Sequence, residues 1–152
     1  MNINTNLSGS LEDYLEAILI LEKKNRVARV KDIAEFLNVN MSSVSGAVKN
    51  LKARGLINYK KNSYIVLTDT GSQQARFIFR KHSIILDFLE NILLLPRDRA
   101  EQEACRMEHT IGKDTTQRLS RLCGYLKDEF STSLSRQALE KVLGITPDSK
   151  QD

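Results

Sequence analysis

The feature that most constrains this chain is the stretch VKDIAEFLNVNMSSVSGAVKNLKARGLI, residues 30–57. Its apolar side chains recur at helical spacing over about 30–37 and again from about 40 to 54, with the turn NVN between them. Ala34 is small at the point where two helices would cross closely. Two short helices joined by a tight turn predict a helix-turn-helix.

The ends of these elements carry their own signals. Asn40 or Ser42 is suited to cap the second helix, and Gly55 is suited to end it. The segment LINYKKNSYIVLT, residues 56–68, then alternates β-branched and aromatic residues on both sides of the turn-forming KKNS. A helix over about 9–24, with Ser10 in a predicted capping box, precedes the motif. Together these elements predict a winged helix.

The basic charge of the chain is concentrated in this part. Residues 23–61 contain ten lysines and arginines against two acidic residues, a net charge of +8, so the rest carries −4 of the overall +4. Clustered basic charge indicates a polyanion partner, and a helix-turn-helix places the start of its second helix in the DNA major groove. The predicted DNA-binding residues are Asn40, Met41, Ser42, Ser43, Ser45, Lys49, Lys52 and Arg54, with Lys60 and Lys61 on the wing.

A helical hairpin with a solvated basic face is the alternative interpretation, because helix-turn-helix patterns also occur in modules that bind only protein. Gly46 also counts against a stable second helix, since glycine inside a helix costs about 1 kcal/mol relative to alanine. Close approach to DNA would explain that glycine. The wing and the concentrated charge favour DNA.

The remainder of the chain is predicted to be helical. Periodic apolar residues indicate helices over about 70–94, 98–111 and 114–129, and a short helix around RQALEKVLG. The expected fold class is mostly α, with an N-terminal winged helix-turn-helix domain (1–70), a helical dimerisation and metal-binding domain (71–145) and a flexible tail (146–152).

Composition excludes several classes of protein. With 41% hydrophobic and 28% charged residues, the chain is typical of soluble globular proteins. It shows neither a secretory signal nor an apolar run long enough to span a membrane. Its two cysteines, Cys105 and Cys123, make no CxxC pair or disulfide framework, and Cys123 lies among apolar neighbours. We therefore expect a cytoplasmic protein.

A second cluster of polar residues has the chemistry of metal ligands. Cys105, Glu108 and His109 share one helical face by their i, i+3 and i+4 spacing, and Asp13 and Glu16 do so on the first helix. Thiolate, imidazole and carboxylate ligands suit a first-row divalent transition metal. Each group alone also has a structural interpretation: first-turn acids, a small apolar cysteine, and a semi-buried histidine in the case of His82.

The order of these motifs resembles the diphtheria-toxin-repressor family of metal-activated transcriptional regulators. The similarity covers about residues 10–130 and is carried by DYLEAI (13–18), RKH (80–82) and EACRMEH (103–109). It implies a homodimer whose winged helices bind a palindromic operator in double-stranded DNA, with metal held between the first helix and the dimerisation helices.

The resemblance also implies a ligand set of mixed type. Asp13, Glu16 and His82 match the manganese branch of the family, whereas Cys105 matches the iron branch, and Glu108 and His109 fit either. Glu101 is a weaker candidate for a second site, because it stands where the iron branch has histidine. The implied cofactor is Mn²⁺ or Fe²⁺, with Zn²⁺ also able to bind.

The sequence therefore predicts a metal-activated repressor of divalent-metal uptake genes, with no membrane association and no small-molecule substrate. One alternative is a metal-independent winged-helix regulator that senses an organic ligand. The other is a metalloenzyme, which we do not expect, because no separate general base, nucleophile or phosphate-binding loop accompanies the candidate ligands.

Overall fold

Seven α-helices and one short hairpin make up the described part of the chain, which is residues 7–59, 63–129 and 133–145 of a computed structural model. In chain order the elements are α1 (Gly9–Asn25), α2 (Val30–Leu37), α3 (Met41–Ala53), β1 (Ile57–Tyr59), β2 (Ile65–Leu67), α4 (Asp69–Asp87), α5 (Arg97–Glu108), α6 (Lys113–Glu129) and α7 (Ser133–Val142). This order confirms the predicted fold class, mostly α with an N-terminal winged helix.

Helix α1 contributes one face to the core of the first compact unit, Met1–Arg80. Its buried face includes Leu15 and Ile18, both fully inaccessible to solvent. The capping box predicted at Ser10 is wrong: the helix begins at Gly9, and Ser8 occupies the N-cap without a side-chain hydrogen bond.

The helix-turn-helix forms as predicted because its signals are local. Asn38 ends α2 in the left-handed region, at φ 52°, which asparagine tolerates better than most residues. Asn40 then caps α3 and accepts a hydrogen bond from the backbone N–H of Ser43. The inner face of α3 contributes Val44 and Leu51 to the core that α1 and α2 share.

The wing follows directly from the end of α3. Gly55 ends that helix at φ 70°, a conformation in which a side chain would be strained. Strands β1 and β2 pair antiparallel with Ile57 opposite Leu67, and Ala28 adds one bridge to Ile65. The tip lysines Lys60 and Lys61 lie outside the described residues.

A carboxylate also joins α1 to the wing. Glu22 accepts a hydrogen bond of 2.8 Å from the backbone N–H of Leu67. Burial raises the pKa of Glu22, and the hydrogen bond from Leu67 opposes that shift. The native state therefore favours the neutral acid relative to the unfolded chain, so this contribution to stability is full at low pH and is lost as the pH rises through the native-state pKa.

We expect Glu22→Gln to raise the free energy of unfolding at pH 7.5 by up to about 1 kcal/mol, because the amide oxygen keeps the acceptor and removes the desolvated charge. The gain should shrink at pH 4, where the wild-type carboxyl is increasingly protonated. Urea unfolding at both pH values measures it. This account would be contradicted if the stability of Glu22→Gln relative to wild type were lower at pH 7.5 than at pH 4.

The second compact unit, Lys81–Asp152, has its own core. Ile85 and Leu89 pack there with Ala100 and Ala104 of α5. The buried Cys123 of α6 confirms its interpretation as an apolar core residue. None of the described helices combines the length and apolar character needed to cross a bilayer.

The long helix predicted over 70–94 is interrupted. α4 ends at Asp87, and Phe88–Ile92 continue as a π-helical turn. Leu94 then takes φ 56°, an unusual conformation for a bulky residue, before Pro96 caps α5. Apolar periodicity did not reveal the break, because Phe88, Leu89, Ile92 and Leu93 still follow the i, i+1, i+4, i+5 spacing of an uninterrupted helix.

The two compact units divide within α4, between Arg80 and Lys81. The boundaries expected from the sequence, 1–70, 71–145 and 146–152, stay predictions.

Candidate functional site

The strongest candidate ligands sit at the end of α5. Cys105 and Glu108 belong to its last turn, and His109 is the C-cap residue. Because His109 keeps helical dihedral angles, φ −76° and ψ −17°, its imidazole stays on the face that Cys105 and Glu108 share. One ligand atom from each of these three side chains lies within 4.8 Å of the other two. The spacing read from the sequence thus produces a real cluster.

Glu108 is the central residue of this cluster. Its side chain is 0% exposed, which is rare for a carboxylate because the loss of hydration costs several kcal/mol unless partners compensate. Its Oε2 lies 2.6 Å from His82 Nδ1. Its Oε1 is also buried and has no hydrogen-bond partner within the described chain; His109 Nε2, 3.5 Å away, does not make one. A buried anionic oxygen of this kind fits a cation.

His82 reaches Glu108 from α4, where the apolar spacing of the helix gave little indication of a polar contact. A proton on Nδ1 would be donated to Glu108 and would leave Nε2 as the lone-pair nitrogen. A carboxylate that orients a histidine in this way is a common feature of metal sites. His82 and Glu108 are therefore hydrogen-bond neighbours, and the role of His82 as a metal ligand stays a prediction.

The remaining predicted ligands are Asp13, Glu16 and Glu101. Asp13 and Glu16 are half-buried on α1 of the first unit, one helical turn apart. Glu101 of α5 accepts a hydrogen bond of 2.8 Å from Arg97 Nε, and Arg97 Nη1 also contacts Glu90 at 2.8 Å. Glu101 is absent from both candidate metal clusters found among the described residues.

Sulfur, nitrogen and oxygen ligands in one cluster restrict the metals that fit. Ca²⁺ and Mg²⁺ prefer oxygen ligands alone, whereas imidazole and thiolate favour Fe²⁺, Zn²⁺ and similar ions. The residues present therefore fit a first-row divalent transition metal.

The polar side chains at the start of α3 are largely satisfied among themselves. Asn40 Oδ1 accepts hydrogen bonds from the hydroxyls of Ser42 (2.6 Å) and Ser43 (2.8 Å) as well as from the Ser43 N–H (2.9 Å). The Ser45 hydroxyl donates to the Met41 carbonyl at 2.8 Å. These hydroxyls therefore retain acceptor lone pairs for a base edge, a feature that residue spacing alone does not reveal.

Basic side chains surround this helix. Lys49, Lys52 and Arg54 are exposed, and Arg54 Nε donates to Asn50 Oδ1 at 2.7 Å. Arg29, which is not among the predicted DNA-binding residues, has its guanidinium 5.0 Å from the centre of the Tyr64 ring. Arg29 also lines a cavity of about 470 Å³, together with Val30, Lys31, Tyr59, Ser63 and Tyr64. The position of Arg29 just before α2, in the basic stretch, is the sequence feature that could have indicated this residue.

Gly46 lies on the exposed face of α3, and a Cβ built there would meet no atom within 4 Å. Packing within the protein therefore gives no reason for glycine. We expect Gly46→Ala to stabilise the fold by about 0.5–1 kcal/mol and to weaken DNA binding, because the added methyl group would hold the helix away from the groove.

Urea unfolding and DNA titration of the same Gly46→Ala preparation test both signs. Unchanged affinity for DNA would remove the close-approach explanation of Gly46.

A winged helix with a basic recognition helix, followed by a helical unit that carries a buried carboxylate among thiol and imidazole ligands, defines the class of metal-responsive DNA-binding regulators. The comparisons agree with this class. The chain belongs to the iron-dependent repressor family: residues 6–64 match its N-terminal DNA-binding domain, and residues 68–130 match its metal-binding and dimerisation domain.

Two curated relatives illustrate the similarity. An HTH-type transcriptional regulator of Methanocaldococcus jannaschii is 36% identical over 124 residues, which cover 81% of this chain and 99% of the relative. The HTH-type transcriptional regulator MntR of Bacillus velezensis is 30% identical over 132 residues, covering 87% and 92% of the two chains.

Solved structures share the fold. The manganese regulator SloR superimposes with a TM-score of 0.69 at 34% identity, over 76% of this chain and 54% of its own. The repressor ScaR with bound Zn²⁺ gives a TM-score of 0.62 at 31% identity, over 76% and 54%. This chain thus spans about half the length of these solved structures.

Proposed function

We propose that this protein is a metal-activated transcriptional repressor that binds operator DNA when a divalent transition metal is bound. The observation that carries the proposal is the buried Glu108 carboxylate, whose Oε1 has no hydrogen-bond partner within the described chain. It lies among Cys105, His109 and His82, in a chain whose N-terminal part matches a DNA-binding domain. Regulation of metal uptake genes is the role that best matches such a sensor.

We propose Asp13, Glu16, His82, Cys105, Glu108 and His109 as the metal ligands, with Glu101 as a weaker addition. For Asp13 and Glu16 the support is their spacing on α1 and the preference of manganese and iron for carboxylates. When bound, the ion supplies the positive charge that compensates the buried Glu108. Mn²⁺ and Fe²⁺ are the expected ions, and the Cys105 thiolate also admits Zn²⁺.

The symmetry of the DNA partner predicts the oligomeric state of the protein. We propose a homodimer that binds a palindromic operator, because two-fold protein symmetry matches two half-sites about one helical turn of DNA apart. The match of residues 68–130 to a dimerisation domain supports this. Leu122 and Tyr125, exposed and three residues apart on α6, are suited to such an interface.

Binding of the metal would be coupled to binding of DNA by the winged helices. A difference of ~1–3 kcal/mol between the metal-bound and metal-free states would give a useful switch. The protein would act by binding and releasing DNA, without catalysing a reaction.

The experiment is a DNA titration of purified protein. DNA ligands are first selected from a random library with Mn²⁺-loaded protein, and their affinity is then measured with Mn²⁺, Fe²⁺ under anaerobic conditions, Zn²⁺, and chelator. Affinity should rise about 5–150-fold with the activating metal. Equal binding with metal and with chelator would refute the proposal and favour a metal-independent regulator.

A further inference from the structure

The first compact unit contains a cavity of about 470 Å³ beside the start of α2 and the β1–β2 hairpin. Its described lining consists of Arg29, Val30, Lys31, Tyr59, Ser63 and Tyr64. The volume falls within the range of about 300–1,000 Å³ that is usual for small-molecule sites. The described lining includes neither a candidate metal ligand nor a predicted DNA-binding residue, so the proposed function leaves this cavity unexplained.

The lining carries positive charge. Arg29 and Lys31 contribute two cations, and no acidic residue is among the described residues of the lining. Lys31 lies 3.7 Å from Glu35, but both side chains are largely exposed, so solvent screens that pair. Arg29 contacts an aromatic ring and forms no salt bridge within the part of the chain that the structure describes. The charge therefore favours an anionic occupant.

Two tyrosine rings line the same cavity. Tyr64 is 48% exposed, and the Arg29 guanidinium lies 5.0 Å from the centre of its ring. Tyr59, the last residue of β1, packs partly against the core. The cation–π contact holds Arg29 beside the cavity before any ligand binds, which lowers the entropy lost on binding. Partly exposed aromatic rings also offer flat faces to a planar group.

The backbone of duplex DNA would match only half of this lining. Its phosphates would suit Arg29 and Lys31, but its bases stack on one another and offer no free face to the tyrosine rings. A nucleoside monophosphate carries both groups in one small molecule. Its phosphate can accept several N–H hydrogen bonds from a guanidinium, and its base can stack on an aromatic ring.

We propose that this cavity binds a nucleoside monophosphate, with its phosphate on Arg29 and Lys31 and its base against Tyr64. The inference goes beyond the proposed function and does not depend on the metal ligands. Residues 6–64, which match a DNA-binding domain, contain the described lining. The nucleotide would therefore act on the DNA-binding part of the chain.

Calorimetric titration of the metal-free protein tests the proposal. AMP, GMP, CMP and UMP are each titrated in the presence of chelator, and the tightest binder is then compared with its own nucleoside and with ribose 5-phosphate. We expect at least one nucleotide to bind with a Kd below about 1 mM. The nucleoside and ribose 5-phosphate should each bind at least about tenfold more weakly, because each lacks one half of the contact.

Protein variants assign the two halves of the contact. Arg29→Ala should weaken nucleotide binding by about tenfold or more, and Arg29→Lys should recover part of that loss because it keeps the charge. Tyr64→Ala should weaken binding by about tenfold, whereas Tyr64→Phe keeps the ring and should bind as wild type. Arg99→Ala is the matched control, because it removes an exposed arginine of α5 that pairs with Glu103 at 2.8 Å. Circular dichroism verifies that each variant is folded.

Each contrary outcome identifies the part of the inference that is wrong. No binding of any of the four nucleotides up to about 1 mM would overturn the site altogether. Ribose 5-phosphate that binds as tightly as the nucleotide would show recognition of phosphate alone, as in a contact with the DNA backbone, and would also overturn it. Wild-type affinity in both Arg29→Ala and Tyr64→Ala would place the nucleotide elsewhere. Because these titrations contain no metal, their failure would leave metal-activated DNA binding standing, and failure of the proposed function would leave the nucleotide site standing.

Discussion

Replacing Glu108 with glutamine is expected to abolish most of the response to metal. The amide keeps the volume of the side chain but removes the buried negative charge that would ligate the ion. If the affinity falls about 100-fold, metal at a hundred times the wild-type Kd stabilises wild type by about 2.7 kcal/mol and the variant by only about 0.4 kcal/mol. In thermal unfolding, the wild-type gain corresponds to roughly 5–11 °C in Tm.

The measurement is Tm with Mn²⁺ and with chelator, followed by operator titration of the same samples. Glu103→Gln is the matched control, because Glu103 lies on the same helix and pairs with Arg99 at 2.8 Å. The control should keep the full metal response. A Glu108→Gln variant that does the same would show that Glu108 is not a ligand.

Replacing Gly71 with alanine is expected to damage the fold itself. A Cβ at position 71 would lie 1.8 Å from the carbonyl oxygen of Leu56 and 2.8 Å from its carbonyl carbon. That oxygen already accepts a hydrogen bond of 3.0 Å from the Thr68 N–H, so the backbone cannot move aside without breaking the bond. We expect a loss of about 3 kcal/mol or more, at the upper end for overpacking.

Urea unfolding of the metal-free protein measures this effect, with Gly124→Ala as the control. Gly124 lies inside α6, and a Cβ there would meet no atom within 4 Å. Because alanine favours helix, the control should gain about 0.5–1 kcal/mol. A Gly71→Ala protein as stable as wild type would show that α4 and the backbone of Leu56 can separate at little cost.

Much of the first unit was predictable because its signals are local. Capping by Asn40, termination at Gly55 and the apolar spacing of α2 and α3 depend on residues within a few positions of one another. The same holds for the face that Cys105, Glu108 and His109 share, since helical geometry alone brings them together.

Two expectations from the sequence differ from the structure, the uninterrupted helix over 70–94 and the cap at Ser10. The turn at Phe88–Ile92 and the left-handed Leu94 leave no trace in apolar spacing, and Ser10 was expected to cap a helix that begins one residue earlier. Asn40 and the serines at the start of α3 stay predicted DNA-binding residues, and several of their polar atoms form hydrogen bonds with one another or with the helix backbone. The expectations that hold are those in which one side chain determines the local structure, as Asn40 does at the N-cap of α3.

By itself the sequence determined the winged helix, the basic recognition surface, and the chemistry of the candidate ligands. Periodicity, caps and charge are properties of neighbouring residues. Only the tertiary structure decided that Glu108 is buried against His82, 26 positions away, with one carboxylate oxygen lacking a hydrogen bond within the described chain. It alone placed Gly71 against the backbone of Leu56. Both results depend on packing between segments far apart in the chain, because burial and close approach are set by the side chains that surround a residue in space.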